Sequence, residues 1–135
     1  MNVLVDTSVW SLALRRAKRV DDTTPKELAE LIREGRVVMV GPVRQELLSG
    51  IKVKAQFELL RGHLQSFPDL GLETADYEEA AAAFNRCRER GIQGSNTDFL
   101  ICAAALRREL SIYTTDGDFK HYARVLKLEL HEPRT

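Results

Sequence analysis

Short apolar runs alternate along this chain with stretches in which apolar residues return every three or four positions. The first pattern marks buried strands and the second amphipathic helices. Val3-Leu4-Val5 is apolar without alternation, which predicts a strand covered on both faces. A short helix passing through Trp10 finishes at Leu14. Thr24-Pro25-Lys26-Glu27 reads as a helix start, in which Thr24 caps, Pro25 takes the first turn and Glu27 closes a capping box. Leu28, Leu31 and Ile32 form the buried stripe, Gly35 is the stop, and Val37-Val38-Met39-Val40 is a second buried strand. One βαβ unit is then complete.

After Gly41-Pro42 a helix is expected over Val43 to Leu48, and another over Lys52 to Gln65 with Val53, Phe57, Leu60 and Leu64 on one face. Leu70 to Leu72 is either a very short edge strand or a loop. Asp76-Tyr77-Glu78-Glu79 opens a capped helix that buries Tyr77, Ala80, Ala81, Phe84 and Cys87. Gly91-Ile92-Gln93-Gly94 is a connector, after which Ser95 or Asn96 caps the next helix. That helix is apolar on every side from Phe99 to Leu106, as central helices are. Ser111 to Thr115 is a strand, Phe119 to Ala123 is one or two helical turns, and Val125 to Leu130 is a last, edge strand. Alternating strands and helices predict an α/β fold, a three-layer α/β/α sandwich with a mostly parallel sheet.

A length of 135 residues fits one domain spanning 1–135, and 44% hydrophobic residues supply a core for it. Twenty basic and twenty acidic residues give a formal net charge of zero. That balance argues against indiscriminate coating of a polyanion while leaving room for a local basic patch. Cys87 and Cys102, the two cysteines, form no CxxC pair, so a zinc site or disulfide scaffold is not expected. No signal-peptide pattern opens the chain and no apolar run reaches membrane-spanning length, which suggests a cytoplasmic protein without membrane contact.

Charge placement changes the picture more than charge balance does. Asp6 follows the first strand, Glu46 lies one turn beyond the second, Asp98 opens the apolar helix, and Asp116 follows Ile112 and Tyr113. In a parallel sheet all strand carboxyl ends share one edge, and ligands bind there. Singly, each acid has a plainer reading: Asp6 and Asp98 as helix caps, Glu46 as a surface acid, Asp116 as a turn former. Their joint placement favours a site. Carboxylates gathered together repel unless a cation joins them. An all-oxygen set without His or Cys suits Mg²⁺ or Mn²⁺. Such ions orient water, neutralise phosphate charge and stabilise a leaving 3′-oxygen, as phosphodiester hydrolysis requires.

Among the nearby hydroxyls, Ser8 and Thr115 are the ones expected beside metal or phosphate. Asn96 either holds a neighbouring carboxylate in its rotamer or serves as the helix cap. Arg15, Arg16, Lys18 and Arg19 form the densest basic run, and Arg86, Arg88 and Arg90 lead toward the loop before Asp98. These groups either steer a phosphate backbone, serve a protein contact, or are solvated faces.

Val5-Asp6-Thr7-Ser8, Pro42 followed four residues later by Glu46, Asn96-x-Asp98 ahead of an Ala-rich helix, and Thr115-Asp116-x-Asp118-Phe119 together resemble the PIN domain. Essentially the whole chain is covered, and its size is similar to the VapC-type toxins of toxin–antitoxin pairs. The resemblance implies a five-stranded parallel sheet and a Mg²⁺- or Mn²⁺-dependent endoribonuclease. Asp6, Glu46, Asp98 and Asp116 would be its catalytic, metal-holding acids, with Asp118 as a further acid and Thr115 as the matching hydroxyl. It also implies an RNA substrate such as tRNA and a small antitoxin that inserts into the cleft. A toxin homodimer would join that antitoxin in a heterotetramer or a larger assembly. Other phosphoryl-transfer classes with a strand-end Asp resemble the chain less. Haloacid-dehalogenase-like phosphatases want a second Asp where Ser8 stands, and receiver-type phosphoacceptors want a Lys that Thr114 to Phe119 lacks. A non-catalytic binding module is the remaining alternative.

Overall fold

The computed structural model describes residues 1–14 and 23–134. Three strands, β1 (Val3–Val5), β2 (Val37–Val38) and β3 (Ser111–Tyr113), pair in the order β2-β1-β3. Both pairings are parallel, with Val3 opposite Val37 on one side and opposite Ser111 on the other. Every residue of β1 is fully buried, as its unbroken apolar run requires. The seven helices among the described residues are α1 (Thr7–Leu14), α2 (Thr23–Arg33), α3 (Gly41–Leu48), α4 (Lys54–Leu64), α5 (Thr74–Glu89), α6 (Asn96–Arg108) and α7 (Asp118–Ala123). From β1 the chain steps outward to β2, then crosses back past β1 to β3. Right-handed connections in opposite directions lay helices on opposite faces of the sheet. The resulting switch point falls between β1 and β3, where open α/β sheets bind their ligands.

Of the five strands expected, three form among the described residues, with a single parallel bridge outside each edge. Beyond β2, Leu70 donates its backbone N–H to the Met39 carbonyl at 2.8 Å, so the Leu70 to Leu72 segment is mostly loop. Arg44 holds this edge by bonding the Asp69 carboxylate and the carbonyls of Leu64 and Phe67. Beyond β3, Ile112 donates to the Glu129 carbonyl at 2.9 Å and accepts from His131 at 2.8 Å. The strand expected over Val125 to Leu130 is not formed. Val125 and Leu126 both donate to the Tyr122 carbonyl and prolong the helical turns of α7, leaving Leu130 as the bridging residue.

Three buried faces differ from the periodicity reading. In α5 the true cap is Glu73, and Asp76, expected to cap, sits at the third helical position and returns a bond to the Glu73 N–H at 2.7 Å. This phase buries Asp76, Ala80, Ala83 and Cys87, while Tyr77 and Ala81 face outward. Asp76 belongs to the buried stripe because Arg107 and Arg108 of α6 pair with it. In α2, Glu27 is buried against His131 and Arg134 rather than spent on a capping box, and Ile32 is exposed. Val53 precedes α4 and is exposed, whereas Leu64 at its far end is buried. Helix α6 is central as expected: Phe99, Ile101, Cys102, Ala103, Ala104 and Ala105 are all buried. Both cysteines are free and buried, and burial pushes each thiol above its ordinary range. No helix among the described residues is long and apolar enough to cross a membrane.

Candidate active site

At the switch point, Asp6 ends β1 and starts α1. Its N–H donates to the Tyr113 carbonyl at 2.9 Å, and its own carbonyl accepts the first helical bonds of α1, from Val9 and Trp10. The cap and site readings of this residue are therefore compatible. Its carboxylate is almost fully buried and accepts through Oδ2 from the hydroxyls of Ser8, at 2.7 Å, and Thr114, at 2.8 Å. Each hydroxyl in turn accepts a backbone N–H at 3.0 Å, Ser8 from Thr115 and Thr114 from Asp116. The ends of β1 and β3 are thus stitched together through one carboxylate oxygen.

Asp116 also has a turn role, since its Oδ1 accepts the Asp118 N–H at 2.9 Å and starts α7. Ser95, not Asn96, caps α6, with its hydroxyl accepting the Asp98 N–H at 3.1 Å. Asp98 therefore stands in the first turn, where the helix dipole favours an acid. The carboxylates of Asp98, Asp116 and Asp118 each bring an oxygen within 4.8 Å of the others. Three oxygen donors at this spacing, without nitrogen or sulfur, fit a hard divalent cation. Burial pushes the Asp98 carboxyl above its ordinary range; a bond from Tyr122 opposes this, and the charges of Asp6 and Asp116 add to it.

Glu46 is not part of the tight cluster; it accepts the hydroxyl of Thr7, the neighbour of Asp6 in sequence, at 2.6 Å. Asp6 also stands outside the 4.8 Å group, coupled to Asp98 through its charge. Asn96 is exposed and borders a groove with Tyr77, Ala81 and Leu100 on the outer side of α5 and α6. Thr115 contributes its backbone N–H, and its side chain is exposed; the hydroxyl that reaches Asp6 is that of Thr114. Arg86 donates to the Val125 carbonyl at 3.1 Å. Arg15, Arg16, Lys18 and Arg19 lie outside the described residues.

Comparison with known proteins places this geometry. The family model described as the PIN domain matches residues 3–125. The chain belongs to the PIN domain family. Ribonuclease VapC11 of Mycobacterium tuberculosis is 30% identical to this PIN domain over 131 residues, covering 94% of this chain and 96% of that protein. The VapC ribonuclease Mb1587 of Mycobacterium bovis matches to the same extent, 30% over 131 residues. In fold, this PIN domain superposes with a TM-score of 0.77 on a chain of the FitAcB crystal structure from Neisseria gonorrhoeae, at 20% identity and with 97% of each chain covered. The VapBC2 structure from Rickettsia felis, bound to a DNA fragment from its promoter, gives the same TM-score of 0.77 at 20% identity, over 97% of this chain and 98% of that one.

Two functional groups of this PIN domain escaped the sequence reading. Thr114, next to the Thr115 that the sequence favours, is the hydroxyl that bonds Asp6. Tyr122 donates its phenol hydrogen to Asp98 Oδ2 at 2.6 Å. Helical spacing carried a signal for it, because Asp118 and Tyr122 are four residues apart on α7 and share a face.

Proposed function

We propose that this PIN domain, acting over the whole stretch 1–135, is a metal-dependent endoribonuclease and the toxin of a toxin–antitoxin pair. The observation that carries the reading is the convergence of Asp98, Asp116 and Asp118 within 4.8 Å, next to Asp6 and at the switch point of a PIN fold. Asp6, Asp98, Asp116 and Asp118 would hold Mg²⁺ or Mn²⁺, with Glu46 at the margin. When bound, the ion supplies Lewis-acid activation of water and neutralises charge on the scissile phosphate.

The chain's own part is to hold oxygens in place and admit the backbone of RNA. Ser8 and Thr114 fix Asp6, the Asp118 backbone N–H holds the Asp116 carboxylate, and Thr7 orients Glu46. Water attacking in line would leave a 5′-phosphate and a 3′-hydroxyl. The toxin role and the antitoxin are supported by relatives named VapC ribonucleases and by neighbours solved as VapBC2 and FitAcB; a toxin dimer within a larger assembly is part of the same proposal.

Cleavage of total RNA by purified protein with Mg²⁺, followed by analysis of product ends, tests the reading. Asp98→Asn and Asp6→Asn are expected to lower the cleavage rate by at least about 100-fold, the upper end of what loss of a group behind a metal ligand costs. Products ending in 2′,3′-cyclic phosphate, or undiminished cleavage by both variants, would overturn it.

A further inference from the structure

We propose that Tyr122 is a positioning residue for Asp98, and that Gly94 is glycine in order to make room for it. This rests on the metal-site reading above. Tyr122 is fully buried, and its ring packs against Phe99 and Phe119 with centroids 4.8 and 5.1 Å away. Packed on two aromatic neighbours, the ring carries its hydroxyl to one place, 2.6 Å from Asp98 Oδ2. The phenol hydrogen can reach the carboxylate as a donor, and a donor fixed behind a ligand orients the ligand.

The connector before α6 passes directly over this hydroxyl. A Cβ on Gly94 would lie 2.3 Å from the Tyr122 oxygen, 2.7 Å from Cζ and 2.9 Å from Cε1. Gly94 is not in the left-handed region, unlike Gly35, Gly50 and Gly91, so close approach rather than backbone freedom is what the position requires. Loop, ring and carboxylate form one stack: Gly94 on Tyr122, and Tyr122 on Asp98. Three carboxylates that repel one another need restraint if they are to wait in ligating positions, and Asp98 is the one restrained from α7.

A plainer role, in which Tyr122 is only a core aromatic whose hydroxyl has found an acceptor, makes a different forecast. Tyr122→Phe keeps the ring and removes the hydroxyl. Mn²⁺ binding to the RNA-free protein, read by titration calorimetry or by the EPR signal of free Mn²⁺, is expected to weaken by about 10- to 100-fold. The KM for RNA at saturating Mn²⁺ is expected to stay unchanged, and cleavage lost at low Mn²⁺ should return at high Mn²⁺. Gly94→Ala keeps the hydroxyl but displaces it, and is expected to weaken Mn²⁺ binding in the same direction. Wild-type Mn²⁺ affinity in a folded Tyr122→Phe protein would overturn the proposal, and that variant alone decides it if Gly94→Ala does not fold. Asp98→Asn separates the two layers. If Asp98→Asn keeps Mn²⁺, the metal-site reading falls; if it loses Mn²⁺ while Tyr122→Phe does not, only the role of Tyr122 falls.

Discussion

Asp6, Asp98 and Asp116 each serve the backbone and the cleft at once. Asp6 and Asp116 start helices, while Asp98 has its N–H capped by Ser95 and its carboxyl held by Tyr122. Burial and neighbouring charge push the Asp98 carboxyl upward from its ordinary value of 3.8. A raised carboxyl costs stability once charged, so the cost is absent below the ordinary value and appears as pH rises through the folded one. In the metal-free protein, Asp98→Asn is therefore expected to raise the melting midpoint at pH 7, with the gap closing at acid pH. Scanning calorimetry over pH checks this, and a lower midpoint for the variant at pH 7 would contradict it. The acids were legible in the sequence because strand ends and helix starts locate them. Thr114 was not, since a one-residue choice within Thr114-Thr115 depends on how β3 leaves the sheet. Tyr122 was only partly so, since its spacing from Asp118 puts it on the right face of α7 but its partner Asp98 lies on another helix.

At the scale of elements, the contact between α5 and α6 carries an ion cluster that periodicity misplaced. Asp76 is fully buried and accepts from Arg107 at 2.7 Å, from Arg108 at 2.7 and 2.8 Å, and from the Glu73 N–H at 2.7 Å. The Arg108 bond is the main cause holding its carboxyl well below the usual range; burial works against it, and Glu73 and Arg107 add to the lowering. A depressed carboxyl contributes stability that is complete above its ordinary value of 3.8 and is lost as pH falls through the folded value. Asp76→Asn is expected to lower the melting midpoint clearly at pH 7, by a margin that narrows below pH 3.8, as circular dichroism melts would show. Alternation and helical period found β1, β3, α3 and α6 because those elements bury apolar faces; β2 is shorter than the buried strand expected over Val37 to Val40, and its two residues are half-buried. Periodicity misread α5 and α2, whose buried stripes include Asp76 and Glu27, because a buried acid is intelligible only with its distant arginine in view. The final edge failed for a related reason: alternation over Val125 to Leu130 cannot show that α7 claims Val125 and Leu126 first.

For the whole molecule, zero net charge means that the RNA of the proposed reaction would be drawn in by local groups rather than by an overall field. Replacing Arg15 and Arg16 together by Ala is expected to weaken RNA binding by a similar factor on different sequences and to flatten its dependence on salt. Filter binding across a salt series measures both, and an unchanged slope would assign these arginines elsewhere. The bond between Thr114 and Asp6 spans 108 positions of sequence and joins the first strand to the last. During synthesis on a ribosome, Asp6 emerges at once, yet Thr114, Asp116, Asp118 and Tyr122 are still to be translated. Until they clear the exit tunnel, β1 lacks β3 on one side and Asp98 lacks both its neighbouring acids and its restraining phenol. On the proposed reading, a nascent chain thus carries its first acid for most of its translation before the rest of the centre exists, and the last strand and helix complete that centre.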